Sequence, residues 1–490
     1  MTTAVRPQPA GTGDERRSAA FFDLDRTLLA GASGPVLGAA LREAGLVSGS
    51  TQGIESVMFK VFDVIGETYP SMIVSRQGAR VARGWPVALV RDAARKASGP
   101  LADAVLPYAR QLIEEHRDAG RLLVMATTTP ADLIRPLAER LGFDAVVATT
   151  YGVRDGHYDG TIDGEFVWGK GKARAVSDWV MANDVDLLGS YAYSDSWYDT
   201  PLLSIVGNPT VVNPDPRMIG MATLRRWPMV HFDVPAGVPK FAGIEPQRAL
   251  FLLAQPQLLP WVRFDLGGLD RLPSDGPAIL VGNHRSYLDP LAIGYALARK
   301  GRPVRFLGKK EVFDAPIVGD LATALGGIRV DRGTGSDAPL HAAEEALAAG
   351  EMVAIMPQGT IPRGPAFFDP ELTGRWGAVR LAHATGVPII PIGLWGTEHA
   401  WPRSAKFPDV TNLLNPPTVR IRIGDPVPLG GDDVEADTAT MMAAIVDLLP
   451  AEARKVRTPT VEELAQTYPG GVIPTDDDVT HERDRRPGHD

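Results

Sequence analysis

The sequence predicts an α/β protein built twice over: a Rossmann-like parallel sheet with a helical cap, then a second α/β domain. Three observations carry that expectation. Short apolar runs alternate with longer helical patterns over residues 18–213, which is how βαβ units around a parallel sheet read. The alternation resumes from residue 276, and the two halves share no motif. A chain of 490 residues is also too long for one ordinary domain.

Residues 1–17, MTTAVRPQPAGTGDERR, lack the apolar core of a signal peptide and read as a disordered lead-in. The first domain, 18–213, strings together AAFF (19–22), LLVMA (122–126), AVVA (145–148), a run leading into YAYSD, and TVV (210–212). Between Phe22 and Leu122 lies far more chain than a crossover needs. A helical cap is expected there, over about residues 30–110, for example around Met58-Phe59-Lys60-Val61-Phe62.

Residues 214–265, rich in Pro, Trp and Arg, read as a connecting segment. Within it residues 249–262, ALFLLAQPQLLPWV, are uncharged but short and broken by prolines. A buried helix is expected, with an interfacial segment as the alternative. The second domain, 266–450, carries AILV (278–281), VRFL (304–307), MVAIM (352–356), VPIIPI (387–392) and VRIRI (419–423). Helical patterns lie between them at 290–300 and 342–349. Residues 457–490, polar and containing Asp476-Asp477-Asp478, read as a loose tail.

Hydrophobic content of 44% and charged content of 22% are ordinary for a globular protein. A net charge of −9 argues against a general nucleic-acid partner. The absence of cysteine excludes disulfides and thiolate metal sites, and it is compatible with a reducing cytoplasm. No run of about 18 apolar residues is present to suggest a simple transmembrane helix.

Four pieces carry chemistry in the first half. Asp23 and Asp25, with Thr27 after them, follow the run AAFF at a strand end, where reactive groups of open α/β sheets gather. Thr127-Thr128-Thr129-Pro130 follows LLVMA and offers hydroxyl and backbone N–H donors to a phosphate. Gly169-Lys170-Gly171-Lys172 supplies a cation among glycines, and Ser194-Asp195-Ser196-Trp197-Tyr198-Asp199 places two carboxylates four apart. Hard oxygen ligands of this kind suit Mg²⁺.

In this order the four pieces resemble the haloacid dehalogenase superfamily, in its phosphoserine-phosphatase-like branch (subfamily IB), over about residues 18–215. The resemblance implies that Asp23 is the nucleophile, forming an aspartyl-phosphate. It implies that Asp25 first protonates the leaving alcohol and then activates water. Thr127 would bind the phosphoryl group and Lys172 would offset its charge. Mg²⁺ would be held by Asp23, the backbone carbonyl of Asp25, Asp195 and Asp199.

In the second half NHRSYLDP (283–290) puts His284 in a loop after AILV. Asp289 stands as an N-cap before Pro290, and the helix should stop at Gly301. Residues five apart in a regular helix lie about 140° apart around its axis and do not meet. A loop lets Asp289 reach the imidazole, orient it and stabilise its protonated form.

This segment resembles the HX4D motif of the glycerolipid acyltransferases, a family that includes lysophosphatidate (1-acylglycerol 3-phosphate) acyltransferases. Gly326-Gly327-Ile328-Arg329-Val330-Asp331-Arg332, Met356-Pro357-Gln358-Gly359-Thr360 and Val387-Pro388-Ile389-Ile390-Pro391-Ile392 resemble its further blocks, over roughly residues 260–430. The resemblance implies direct transfer from acyl-CoA or an acyl carrier protein to a lysophospholipid. His284 would take the acceptor's proton and Asp289 would orient it. Arg329 or Arg332, with the Gly359-Thr360 turn, would hold the acceptor's phosphate. The family usually has glutamate where this chain has Gln358, and the arginine expected soon after Thr360 stands at Arg363. An acceptor with another headgroup is therefore the alternative.

Arg299, Lys300, Arg302, Arg305, Lys309 and Lys310 form a basic stretch that is either a solvated face or a contact for anionic lipid heads or coenzyme A phosphates. Taken together, the expectation is a bifunctional enzyme of phospholipid metabolism, cytoplasmic and peripheral to the inner face of the membrane. In two alternatives only one half is catalytic, or the phosphatase acts on phosphoserine rather than a lipid.

Overall fold

The computed structural model of the chain describes residues 16–47, 76–241, 243–316, 318–330, 338–431 and 433–474. Met58-Phe59-Lys60-Val61-Phe62, Asp331, Arg332 and the run Asp476-Asp477-Asp478 lie outside the described residues. The chain divides between Gly237 and Val238 into two compact units.

The first unit contains β1 (Ala19–Phe22), β2 (Leu122–Thr127), β3 (Ala145–Ala148), β4 (Thr150–Arg154), β5 (His157–Asp163), β6 (Tyr191–Ser194), β7 (Asn208–Val212) and β8 (Met229–Val230). Six of them form one sheet in the order β3-β2-β1-β6-β7-β8, and every neighbouring pair is parallel. A parallel sheet is covered on both faces, so its central strand is apolar throughout. Successive side chains of β1 take opposite sides, Ala20 and Phe22 joining one core and Ala19 and Phe21 the other. Because β1 lies between β2 and β6, their carboxyl ends open side by side.

Within the stretch read as the cap, the described helices Gly34–Glu43 and Val87–Asp103 share one apolar core with β1. The helix Pro107–Asp118 lies against the sheet instead, with the His116 ring on Phe22 and Tyr191. Strands β4 and β5 form a hairpin that the apolar runs do not reveal. Asp155 and Gly156, at φ 51° and 76°, make its two-residue turn. Asp-Gly is suited to the left-handed conformation such turns require.

The second unit contains β9 (Arg263–Gly267), β10 (Ala278–Gly282), β11 (Val304–Lys309), β12 (Ile328–Val330), β13 (Met352–Ile355), β14 (Ile389–Trp395) and β15 (Thr418–Ile423). Their order is β12-β11-β13-β10-β14-β15-β9, antiparallel only between β14 and β15. All five residues of β10 are buried.

Several linear readings change in three dimensions. The connecting segment shortens from both ends. The helix Pro216–Arg225 leads into β8, which extends the first sheet, and β9 edges the second. ALFLLAQPQLLPWV is no buried helix. Its prolines divide it into short turns, Phe251–Leu253 and Pro256–Leu258 among them. Leu250, Leu252, Leu253 and Leu258 face solvent.

The described part of the polar tail is also built. Thr460 and Glu463 form a reciprocal cap on the helix Val461–Gln466. Just beyond it, Thr467 Oγ1 accepts from Gly364 N at 2.8 Å.

One buried group couples the first unit to pH. His116 Nε2 lies 2.8 Å from the Tyr193 hydroxyl. Burial, aided by the nearby Arg121 charge, pulls the imidazole down from 6.5 to about 3. Between those values the unfolded chain binds a proton that the folded chain refuses, so stability is present above the upper value and is lost as pH falls. We expect wild type to lose on the order of 3 kcal/mol more unfolding free energy than His116→Phe between pH 7 and pH 4. Urea titrations at the two pH values measure the difference, and equal losses in both proteins would refute it.

Candidate active sites

Asp23 follows β1 directly, and its N–H donates to Tyr193 O on β6 at 3.0 Å. Asp195 follows β6, and Asp199 is buried in the turn Trp197–Asp199. Lys172 joins them from the first turn of the helix Lys170–Ala182. Fully buried, its Nζ donates to Asp23 Oδ1 at 2.8 Å and to Asp199 Oδ2 at 2.6 Å. Lys170 is exposed. The glycines between serve close approach: a Cβ on Gly171 would stand 2.3 Å from the carbonyl oxygen of Phe166.

The hydrogen bonds around these groups were not visible in the motifs. Asp25 accepts from Ser33 N at 2.5 Å and from the Thr129 hydroxyl at 3.3 Å. Burial pushes the Asp25 carboxyl above the usual range, against the opposing pull of these hydrogen bonds and the Lys172 charge. A carboxyl that keeps its proton is what a general acid needs. Ser194 Oγ donates to Asp199 Oδ2 at 2.7 Å, and Arg26 Nε pairs with Asp195 Oδ2 at 3.0 Å. Thr127 is buried and accepts from Thr129 N, while the Thr128 hydroxyl is buried with no hydrogen-bond partner among the described residues.

Asp23, Asp195 and Asp199 supply the hard oxygen donors that Mg²⁺ takes, and Asp199 Oδ1 is buried with no hydrogen-bond partner among the described residues. The donor set therefore fits the ion in kind. Among the described residues no three acidic or histidine side chains converge as they stand. Lys172 and Arg26 hold these carboxylates instead.

In the second unit β10 delivers the loop. Asn283 fixes it to β14: its Nδ2 donates to Leu394 O at 2.9 Å, and its Oδ1 accepts from Leu394 N at 2.7 Å. His284 Nδ1 then lies 2.7 Å from Asp289 Oδ2. Asp289 is fully buried, whereas the His284 side chain is 18% exposed. The aspartate does not cap its helix as expected. Leu288 takes the cap position, and Asp289 turns back to accept from Arg285 N at 2.6 Å and Ser286 N at 2.7 Å. The helix Asp289–Lys300 does end on Gly301, at φ 77°.

Two neighbours of the dyad were unforeseen. Gln358 Oε1 accepts from His284 N at 2.7 Å, so this side chain holds the His284 loop. Arg285 stacks between Phe367 and Trp395, at 4.2 and 4.3 Å from the ring centroids, and pairs with Glu398 at 2.8 Å. Burial opposes ionisation of Glu398, yet the Arg285 charge and hydrogen bond outweigh it and hold the carboxyl below its usual range. Arg457 of the C-terminal segment lies over Phe368, 4.6 Å from the ring centroid.

The second-block arginine stands elsewhere. Arg329 is on the edge strand β12, three strands and about 14 Å of sheet from β10. It pairs with Asp314 at 2.9 Å. Gly359 makes a positive-φ turn, donating to Met356 O, and Thr360 is half-buried. In the basic stretch Arg305 is buried between Glu245 and Glu351, and Arg302 donates to the carbonyls of Pro273, Gly276 and Gly350. Those two arginines are structural.

Residues 20–204 match the haloacid dehalogenase-like hydrolases and residues 263–395 match the acyltransferases. The inhibition of morphological differentiation protein of Streptomyces azureus is 35% identical over 247 residues, 49% of this chain and 88% of that protein. Phosphoserine phosphatase SerB1 of Mycobacterium tuberculosis is 31% identical over 239 residues, 46% of this chain and 76% of its own. The chloroplastic 1-acyl-sn-glycerol-3-phosphate acyltransferase BAT2 of Brassica napus is 31% identical over 196 residues, 38% of this chain. The match spans about half, 52%, of that acyltransferase.

The Gln358 contact makes a sharp expectation. Gln358→Leu leaves the His284 N–H without its acceptor, which costs about 1–3 kcal/mol where water cannot replace it. Acyl transfer should fall roughly 10-fold or more, while Gln358→Glu, which restores an acceptor oxygen, stays near wild type. Initial rates of thioester cleavage with a lysophospholipid acceptor test this. An unaffected Gln358→Leu enzyme would show that the contact does not position the loop.

Proposed function

We infer two reactions for this chain, which belongs to the haloacid dehalogenase-like hydrolase family through residues 20–204 and carries an acyltransferase domain over residues 263–395. The first is hydrolysis of a phosphomonoester. The second is transfer of an acyl group from a thioester, acyl-CoA or acyl carrier protein, to 1-acylglycerol 3-phosphate or a related lysophospholipid.

For the phosphatase, the supporting observation is Lys172 bridging Asp23 and Asp199 at the strand ends. An Asp23 oxygen attacks phosphorus, and the ester oxygen leaves with the proton of Asp25. Asp25 then takes a proton from water, whose oxygen attacks the aspartyl-phosphate and regenerates Asp23. Mg²⁺, held by Asp23, the Asp25 carbonyl, Asp195 and Asp199, would neutralise the repulsion between carboxylate and phosphate. Thr127, and the unpartnered Thr128 hydroxyl beside it, are donors for the phosphoryl oxygens.

For the acyltransferase, the observation that carries the reading is the 2.7 Å contact between a partly exposed His284 and a buried Asp289. A carboxylate only accepts, so the neutral ring donates through Nδ1 and keeps Nε2 as the base. Nε2 takes the acceptor's hydroxyl proton as the oxygen attacks the thioester carbon. The C–S bond then breaks and the imidazolium returns the proton to sulfur. Arg332 and the Gly359-Thr360 turn remain the proposed phosphate contacts, since Arg329 is paired with Asp314 at the edge of the sheet.

We place the enzyme in the cytoplasm at the inner face of a membrane. No helix among the described residues is long and apolar enough to cross one. The exposed leucines 250, 252, 253 and 258, with exposed Arg263 near them in sequence, suit an interfacial contact.

Asp23→Asn and His284→Ala, each assayed for both activities, test the assignment. Each variant should lose one activity by at least 100-fold and keep the other within about twofold. Retained acyl transfer in His284→Ala would end this mechanism, and phosphate release from phosphoserine but from no lipid phosphate would exclude a lipid substrate for the phosphatase. Separately, Leu252→Asp with Leu253→Asp should reduce sedimentation with anionic vesicles at least threefold. Equal sedimentation of wild type and variant would remove this surface as the membrane contact.

A further inference from the structure

The first site holds a cation that no step of the proposed chemistry uses. Arg26 has φ 61° and ψ −2°, a left-handed backbone that disfavours an arginine. The turn is fixed by Arg26 N donating to Gly31 O at 3.1 Å and by Arg26 O accepting from Asn213 Nδ2 at 3.3 Å. It directs the side chain back onto the strand ends. There Nε pairs with Asp195 Oδ2 at 3.0 Å, and the two side chains are only 14% and 4% exposed. Thr27 completes the clamp, its hydroxyl 3.3 Å from Asp195 Oδ1 and accepting from Asp195 N at 3.0 Å.

The charges explain why an arginine stands here. Lys172 balances Asp23 and Asp199, which leaves the nearly buried Asp195 as the further carboxylate in need of a counter-charge. Arg26 supplies it. A metal held in part by Asp195 would compete with Arg26 for its carboxylate.

We propose that Arg26 is an internal placeholder for the divalent cation: it neutralises Asp195 in the metal-free enzyme and must give way at Asp195 when the ion binds. The inference rests on the Mg²⁺ reading above and adds a residue that sets how tightly the ion is held. Arg26 is thus a positioning residue, acting through Asp195. Its removal strengthens metal binding while weakening the metal-free protein, the opposite of what loss of a merely structural contact does to a binding site.

The test uses the full chain. Mn²⁺ binding is titrated by electron paramagnetic resonance in wild type, Arg26→Asn and Arg26→Lys. Asparagine tolerates the left-handed backbone, and lysine keeps the charge. Arg26→Asn should bind Mn²⁺ about 10-fold more tightly, and Arg26→Lys should lie between it and wild type. Without metal, Arg26→Asn should melt below wild type, and saturating Mg²⁺ should raise its melting temperature by more. Equal or weaker Mn²⁺ binding by Arg26→Asn overturns the placeholder and leaves the metal reading intact. Failure of all three proteins to bind Mn²⁺ overturns both.

Discussion

Carboxylates gathered at the ends of parallel strands repel one another, and burial deepens the penalty, so the first unit depends on how their charge is balanced. Lys172 is the main answer, reaching Asp23 and Asp199 from a single ammonium. Much of the surrounding architecture brings it there. The helix Lys170–Ala182 must start close to Phe166, which Gly171 permits by lacking a Cβ. Removing one partner of a buried pair costs about 3–5 kcal/mol, so this cluster supports the fold as well as the chemistry.

The second unit meets the same constraint without a buried cation on its aspartate. Asp289 is fully buried, and its Oδ2 is satisfied by two backbone N–H groups and the His284 ring. Hydrogen bonds from a tightly turned loop do there what an ammonium does in the first site. Arginine and glutamate still appear next door, as Arg285 and Glu398, where aromatic rings on both faces of the guanidinium fix its plane.

The strands were the most legible part of the sequence, because fully buried strands read as unbroken apolar runs such as AAFF and AILV. The acids at their ends were legible for the same reason: position after a run implies position on the sheet. Partners brought from distant segments were not. Nothing in Gln358 or Glu398 announces that one holds the His284 N–H and the other pairs with Arg285. Arg305 misled in the opposite way, since a linear basic stretch does not show that Glu245 and Glu351 enclose one member. The turn at Asp155-Gly156 carried a readable signal, but β4 and β5 have too few apolar residues to stand out. The leucine-rich stretch failed as a helix because its prolines break it, and as a buried segment because hydrophobicity alone does not say which side faces water.

The C-terminal segment has a consequence for biosynthesis. Thr467 holds Gly364, and Arg457 covers Phe368, in the loop that follows Gln358. Chains emerge from the ribosome N-terminus first, and domains tend to fold as they emerge. The acids and Lys172 of the phosphatase site lie before residue 200, and Asn213, which fixes the Arg26 turn, follows soon after, so that site can assemble on a nascent chain. The acyltransferase loop waits for a residue about a hundred positions downstream to clear the exit tunnel. A truncated translation product would therefore carry a finished phosphatase beside an unlatched acyltransferase.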